Sequence, residues 1–237
     1  YVAQIWETKY ETLAEAFAAV QGGETITLLG NAEWNGIIVP SWSNFTVDFN
    51  GYSYTANTDQ LAGSNWTKNQ VFQLLRDSTI TFKNGSIIAD HTDIKRIIQN
   101  YSNLTLDNMD IDATKWTNSV PDYVISNNNG STEFKNGTKI TAKEGKIAFD
   151  VYDWAGGWYD GVEFKMDNTV VVNWGIEIGW DRGVLNIKVT AEDMTQFAAP
   201  AGYRWVADNE GANVLTAIPY VAQIWETKYE TLAEAFA

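Results

Sequence analysis

Four stretches written on one pattern constrain this chain most: FTVDFNGYSYTA from Phe45, STITFKNGSIIA from Ser78, SNLTLDNMDIDA from Ser102 and STEFKNGTKITA from Ser131. Each alternates apolar and polar residues on both sides of an Asn, and two-residue alternation marks a strand, because successive side chains point to opposite faces. Each therefore reads as strand, Asn turn, strand. Glu24–Leu29 (ETITLL) alternates in the same way ahead of the series. The apolar residues Phe49, Phe82, Leu106, Phe134 and Phe164 align across the segments at spacings of 33, 24, 28 and 30. A third apolar run precedes most of them, at Val71–Leu75, Ile94–Ile98, Tyr123–Ser126 and Ile147–Val151, with Gly175–Ile178 opening a further one.

Three short strands every 24 to 33 residues make one coil of a parallel β-helix. Rungs stacked about 4.8 Å apart put Val, Ile, Leu and Phe in continuous inward columns, and roughly seven rungs give a rod of about 35 Å. Inward Phe49, Phe82, Leu106 and Phe134 are expected in one column. Asn50, Asn84, Asn108 and Asn136 fall at equivalent turns, where Asn tolerates the left-handed conformation and stacked amides can hydrogen-bond along the column.

Tyr1–Ala18, YVAQIWETKYETLAEAFA, returns without a change as Tyr220–Ala237. Eighteen identical residues do not recur by chance, so the chain reads as one module of a tandem array plus the opening of the next. The segment predicts a strand at Val2–Trp6, a turn at Glu7-Thr8 and an amphipathic helix of about 10 to 13 residues, with Tyr10, Leu13, Ala14 and Phe17 on one face. Thr12 and Glu15 have capping-box spacing, and Gly22-Gly23 is the expected helix end. The helix is the natural cap for an open β-helix edge. Near the other end Tyr203–Val206 and Asn213–Ile218 read as a hairpin around Asp208–Gly211. The expected organisation is an N-terminal strand and capping helix over 1–23, a parallel β-helix over 24–199, a hairpin connector over 200–219 and the start of the next repeat over 220–237. Residues Trp6, Tyr10, Leu13, Phe17, Tyr203, Trp205, Tyr220 and Trp225 are the expected repeat junction.

Thirty acidic residues against sixteen basic ones give a net charge of −14, which argues against nucleic acid or an anionic membrane surface as partner. The absence of Cys excludes disulfides and thiolate metal sites. No apolar run reaches the roughly 18 residues of a membrane span, so no insertion is expected in this fragment.

YETLAEAFAAVQGGETITLL, the FTVDFNG and KNG turns, and the closing AGYRWVADNEG and TAIPYVAQI together resemble the tandem right-handed β-helix modules of large secreted surface proteins of bacteria, especially gut bacteria. The resemblance implies an all-β fold, a right-handed single-stranded parallel β-helix with an N-terminal capping α-helix and a C-terminal β-hairpin connector. It also implies an extracellular, repetitive protein of adhesive or fibrous type.

Eleven Trp exceed what a narrow β-helix core needs, and Trp6, Trp34 and Trp42 stand where such modules carry small or polar residues. Trp154, Trp158, Tyr159, Trp174 and Trp180, flanked by Asp153, Asp160, Asp181 and Arg182, have the composition of a platform for sugar rings or for a protein partner. Packing over rung ends and contact with a neighbouring repeat are the alternatives. Asp150, Asp153 and Asp160 with Arg182 are the residues a polysaccharide-cleaving enzyme would use, but turn carboxylates are common and a fold licenses no activity. Asp110 and Asp112, on one face of a strand, are a weak calcium pair. His91 is the single histidine, which excludes zinc clusters and His-based triads within one repeat. The expectation is a structural or adhesive repeat without catalysis, cofactor or metal, whose partners are neighbouring repeats and other copies in a fibre. A binding module for a host protein such as immunoglobulin, or for a glycan, is the alternative, and a polysaccharide lyase or hydrolase is third.

Overall fold

The computed structural model describes residues 1–64, 66–114, 123–154, 161–181 and 186–237. Strands β1 (Ala3–Ile5) and β2 (Thr8–Tyr10) form a hairpin that leads into helix α1 (Leu13–Ala19). The chain then passes through tiers of short strands. The first tier is β3 (Thr25–Leu28), β4 (Ala32–Trp34) and β5 (Ile37–Val39), and the second is β6 (Asn44–Asp48), β7 (Ser53–Ala56) and β8 (Gln70–Leu74). The third is β9 (Thr79–Ala89) and β10 (Arg96–Asn100), and the fourth is β11 (Asn103–Asp112) and β12 (Tyr123–Asn128). The fifth is β13 (Gly130–Lys135), β14 (Lys139–Thr141) and β15 (Ile147–Trp154), and the sixth is β16 (Val162–Met166), β17 (Val171–Asn173) and β18 (Ile176–Asp181). After β19 (Ile187–Ala191) come the hairpin β20 (Tyr203–Ala207) and β21 (Asn213–Ala217), then β22 (Ala222–Ile224), β23 (Thr227–Tyr229) and helix α2 (Leu232–Phe236).

The protein is mostly β, and its strands pair in parallel from tier to tier. One ladder runs β3-β6-β9-β11-β13-β16-β19, and a second joins β4, β7, β14 and β17 to the later halves of β9 and β11. A third is a separate sheet, β5-β8-β10-β12-β15-β18. Each tier contributes one stretch to each ladder, so the registers carry apolar columns through the stack. Ile26, Val47, Phe82, Leu106, Phe134 and Met166 pair in sequence in the first ladder. Tyr54, Ile87, Ile111, Ile140 and Val172 do so in the second. Ile37, Phe72, Ile98, Ile125, Phe149 and Ile176 do so in the third. Edge-on and tilted ring contacts tie the columns together, Phe72 to Phe82 at 5.1 Å and Phe134 to Phe149 at 4.9 Å.

Of the expected column Phe49 sits elsewhere, as does the aligned Phe164. Phe82, Leu106 and Phe134 share a column, but Val47, not Phe49, pairs with Phe82, and Thr132, not Phe134, pairs with Phe164. The first shift comes from turn length. Four residues, Phe49–Tyr52, separate the paired positions Asp48 and Ser53, whereas Asn84 and Gly85 alone separate their partners Lys83 and Ser86. Alignment of Phe49 with Phe82 is correct for the strand after the turn and two residues out for the strand before it. Phe49 still packs inward, 5.8 Å from Phe82.

The Asn turns take the expected backbone, with φ of 53°, 58°, 54° and 54° at Asn50, Asn84, Asn108 and Asn136. A left-handed residue bends β9 and β11 without ending either strand. The amides reach along the stack: Asn108 Nδ2 donates to Asn84 Oδ1 at 3.2 Å, Asn84 Nδ2 to Asp48 Oδ1 at 3.2 Å, and Asn136 Nδ2 to Asp107 Oδ1 at 2.7 Å.

The opening segment departs from expectation in two ways. Tyr10 lies on β2 and not on the helix, because Trp6 adopts φ 52° and turns the chain back along β1. Helix α1 has seven residues and ends at Val20 in extended geometry, ahead of the glycines. Gly23, at φ 83°, instead serves the turn into β3.

Candidate functional site

The most built-up feature of the molecule is the seat of Tyr1–Ala18 on the first tier. Strand β1 pairs antiparallel with β3, Ala3 opposite Leu28 and Gln4 opposite Thr27, and so covers an edge whose N–H and C=O groups would otherwise be open. Thr12 Oγ1 accepts from the Glu15 N–H at 3.1 Å, and the Glu15 carboxylate accepts from the Thr12 N–H at 3.1 Å, completing the capping box. With its start held, α1 lays Leu13 and Ala16 on the stack, both fully buried. Phe17 meets the Phe45 ring edge-on at 5.2 Å and lies 6.0 Å from Phe72. Tyr10 is half-buried, and Trp6 is exposed with its indole N–H donating to Glu24 at 2.9 Å. A groove of about 600 Å³ lies between α1 and the β5–β6 turn, lined among others by Phe17, Ile38, Pro40 and Trp42.

The second copy repeats the local structure. The pairs Ala222 with Tyr229, Gln223 with Lys228 and Ile224 with Thr227 reproduce Ala3 with Tyr10, Gln4 with Lys9 and Ile5 with Thr8. Trp225 has φ 55° against 52° at Trp6, and Thr231 caps α2 at φ −132°, ψ 154° against −126°, 154° at Thr12. Its surroundings are different. β22 and β23 form a two-stranded sheet of their own, α2 buries no residue, and Ile224, Trp225, Leu232 and Phe236 are exposed. Tyr220 receives the Lys228 ammonium 5.4 Å from its ring centre.

The hairpin expected as a connector also closes the far end of the stack. β21 pairs antiparallel with β19, Lys188 opposite Val214, and β20 pairs with β21. The Lys188 ammonium lies 2.9 Å from Asp208 and 2.9 Å from Glu210, whose carboxylates hold its pKa above the usual value for lysine. Trp205 donates its indole N–H to the Phe197 carbonyl at 2.7 Å, and buried Phe197 packs on Phe164 at 5.2 Å. Tyr203 packs against Trp180 at 5.3 Å. Of the expected junction residues, Tyr203 and Trp205 thus belong to this module's own packing.

The expected aromatic platform is brought together only in part. Trp158, Tyr159, Asp160 and Arg182 lie outside the described residues, as does the side chain of Asp181. Trp154 and Trp180 are half-buried near the end of β15 and β18, where Asp153 pairs with Trp180 and Trp154 with Asp181. Trp174 is at the other end of β18, roughly 20 Å away at strand rise. Asp153 does not rim a surface: it is 3% exposed, accepting from Asn129 Nδ2 at 2.9 Å and from the Asn186 N–H at 2.7 Å. Asp150, also buried, accepts from the Asn127 N–H at 2.7 Å and from Ser126 Oγ at 3.3 Å. Burial pushes its carboxyl up to about 7, against the hydrogen bond from Asn127 and the positive charge of Arg96. Three residues apart on β15, the two acids project to opposite faces and share no substrate position. Asp112 accepts from the Thr114 N–H at 2.7 Å while Asp110 is exposed. His91 accepts from the Asp93 N–H at 3.2 Å. Among the described residues no group of three or more His, Cys, Asp or Glu is placed to hold a metal.

Two features escape sequence reasoning. Asn100 and Asn127, both buried, stack in the third ladder with Nδ2 to Oδ1 at 2.8 Å, and Thr132 Oγ1 donates to Asn127 Oδ1 at 2.6 Å. The other is the backbone of five exposed tryptophans: Trp6, Trp42, Trp66, Trp174 and Trp225 have φ between 52° and 79°, unlike the exposed Trp34. Trp174 is followed by Gly175, Trp42 is flanked by Pro40, Ser41 and Ser43, and Trp66 follows Gly63-Ser64-Asn65, but Trp6 and Trp225 carry no local turn signal of the ordinary kind. Comparison with protein-family models, curated proteins and solved structures finds no match to this chain.

Proposed function

We propose that the three ladders close into a right-handed single-stranded parallel β-helix, and that the chain is a non-catalytic structural repeat of an extracellular bacterial surface protein or fibre. In this reading Tyr1–Ala18 caps the β-helix and Tyr220–Ala237 is the cap of the next module, so repeats join end to end in one orientation. The observation that carries the proposal is the pair of identical segments, alike in local conformation, one seated on a first tier and the other exposing the same apolar face. A parallel stack with covered ends suits a stiff spacer, since every tier contacts only its neighbours and identical junctions repeat one geometry. Right-handed passage between parallel strands is the rule for such connections. Asp150 and Asp153, each engaged in internal hydrogen bonds, support the non-catalytic assignment. The test is deletion. Removing Tyr220–Ala237 is expected to leave the melting temperature nearly unchanged, whereas removing Tyr1–Ala18 exposes the first tier and lowers it by about 10 °C or more. Equal losses would show that the second copy completes this module's own core, and the proposal would fall.

A second function has one observation in its favour. Exposed Trp side chains at left-handed positions are strained, and strain of this kind collects at binding surfaces. Recognition of a glycan or host protein through Trp42, Trp66 and Trp174 would show as loss of binding in the triple alanine variant, read on a glycan and serum-protein array. An array that retains nothing with the native chain removes this reading.

A further inference from the structure

We propose that the cap is exchangeable between molecules: Tyr220–Ala237 of one copy seats on the first tier of a second copy, displacing that copy's Tyr1–Ala18. The inference rests on the assignment of Tyr220–Ala237 as a cap and names its partner. The occupant follows from identity, because the surface formed by β3, Phe45 and Phe72 receives a segment that exists twice in each chain. The second copy is already folded for docking. Its hairpin has the register of the first, its capping box is formed by Thr231 Oγ1 and Glu234 at 3.2 Å, and its apolar residues are exposed. The edge of β22 corresponding to the one β1 offers to β3 is unpaired in the two-stranded sheet.

Exchange conserves contacts. Before it, each of two molecules has one seated and one exposed copy, and afterwards the pair still has two of each. What favours the resident copy is its covalent tether through Val20–Glu24, which for a short linker amounts to an effective concentration of about 1 mM. Roughly 1% exchange is then expected at about 10 μM protein and about half at about 1 mM. The contact is head to tail, joining one surface to a different one, so it generates open linear chains wherever the rotation between copies does not close a ring.

Weakening only the resident copy reverses the competition, which gives the experiment. In the 237-residue chain, Leu13→Glu places a carboxylate in the buried seat while Leu232, its counterpart in the second copy, is untouched. Sedimentation velocity of L13E between about 5 and 200 μM is expected to show a concentration-dependent series of oligomers, with the native chain and L232E monomeric at about 10 μM. The double variant L13E/L232E is expected to return to monomer. Oligomers in the double variant equal to those of L13E would show nonspecific association of an opened stack and overturn the proposal, as would L13E remaining monomeric throughout. Should L13E fail to fold, a trap in the otherwise native chain decides. Gln4 faces Thr27 across β1 and β3, and Gln223 is the residue equivalent to Gln4. A Q223C/T27C variant is expected to build an intermolecular disulfide ladder under oxidation that Q223C/T105C, with its thiol in mid-stack, does not. Equal ladders, or none, overturn exchange. A two-repeat chain with Q223C in its first module and T27C in its second separates the two proposals. An internal disulfide there without a ladder in the single module leaves the tandem repeat standing and removes exchange, and absence of both removes both.

Discussion

Tyr1–Ala18 and Tyr220–Ala237 hold the same residues in the same local conformation, yet Leu13 is 1% exposed and Leu232 is 58% exposed. The comparison separates two contributions usually mixed in one helix. Local terms, namely the capping box, the turn at Trp6 or Trp225 and the three-residue hairpin pairs, are sufficient to specify shape in both copies. They supply little net stability, since helices much shorter than 12 to 15 residues are marginal in water on their own. Burial against β3, Phe45 and Phe72 is what makes the first copy part of a cooperative fold.

The largest expected difference between the copies is at the buried leucine. Leu13→Ala should destabilise the protein by about 2–5 kcal/mol, and Leu232→Ala by less than about 0.5 kcal/mol, read from denaturant midpoints. Similar losses would mean that α2 also docks in solution.

The next contrast uses pH, because Asp150 lies in the tier stack and not in either copy. Burial raises its folded pKa to about 7, above an unfolded value of about 3.9. The folded state therefore binds the proton more tightly, and the stability this contributes is complete below pH 4 and is lost as pH rises towards 7, by an amount on the order of a few kcal/mol. Arg96 opposes this shift and Glu177 adds to it. Hydrogen exchange should show protection of Tyr1–Ala18 falling with the stack over that window, beyond the intrinsic pH dependence, with Tyr220–Ala237 unaffected. Asp150→Asn should flatten the profile; an unchanged profile would assign the effect to another group.

At the caps the effect is smaller. Thr12→Ala should cost about 1 kcal/mol of global stability, whereas Thr231→Ala should only fray α2, a change visible in local exchange and not in the unfolding midpoint. Smallest is the left-handed turn. Trp225→Gly relieves strain without touching the stack and should leave the midpoint within about 0.5 kcal/mol. Trp6→Gly relieves the same strain but forfeits the hydrogen bond to Glu24, so the two effects should nearly cancel. A loss above about 1 kcal/mol would show that Trp6 packs more tightly in solution than its exposure suggests.

What the amino-acid sequence determined by itself is whatever depends on near neighbours: the strand alternation, the left-handed Asn turns, the capping box at Thr12 and Glu15, and the equal shapes of the two copies. It was also enough for most of the apolar columns, because inward residues of a strand are legible at a period of two. Register was legible on both sides of the turn between β9 and β11, whose turns are equally long, but on only one side between β6–β7 and β9, since a two-residue difference such as Phe49–Tyr52 against Asn84-Gly85 shifts the preceding strand without altering its pattern. Tyr10 was legible as a helix residue only so long as Trp6 was assumed to avoid a left-handed backbone. Tertiary structure alone decided which acids are buried: Asp153 reads as a loop carboxylate until Asn129 and Asn186 close on it. It alone decided that one copy of YVAQIWETKYETLAEAFA is core and the other surface, because burial is a property of what surrounds a segment, and the two segments are identical in everything except their surroundings.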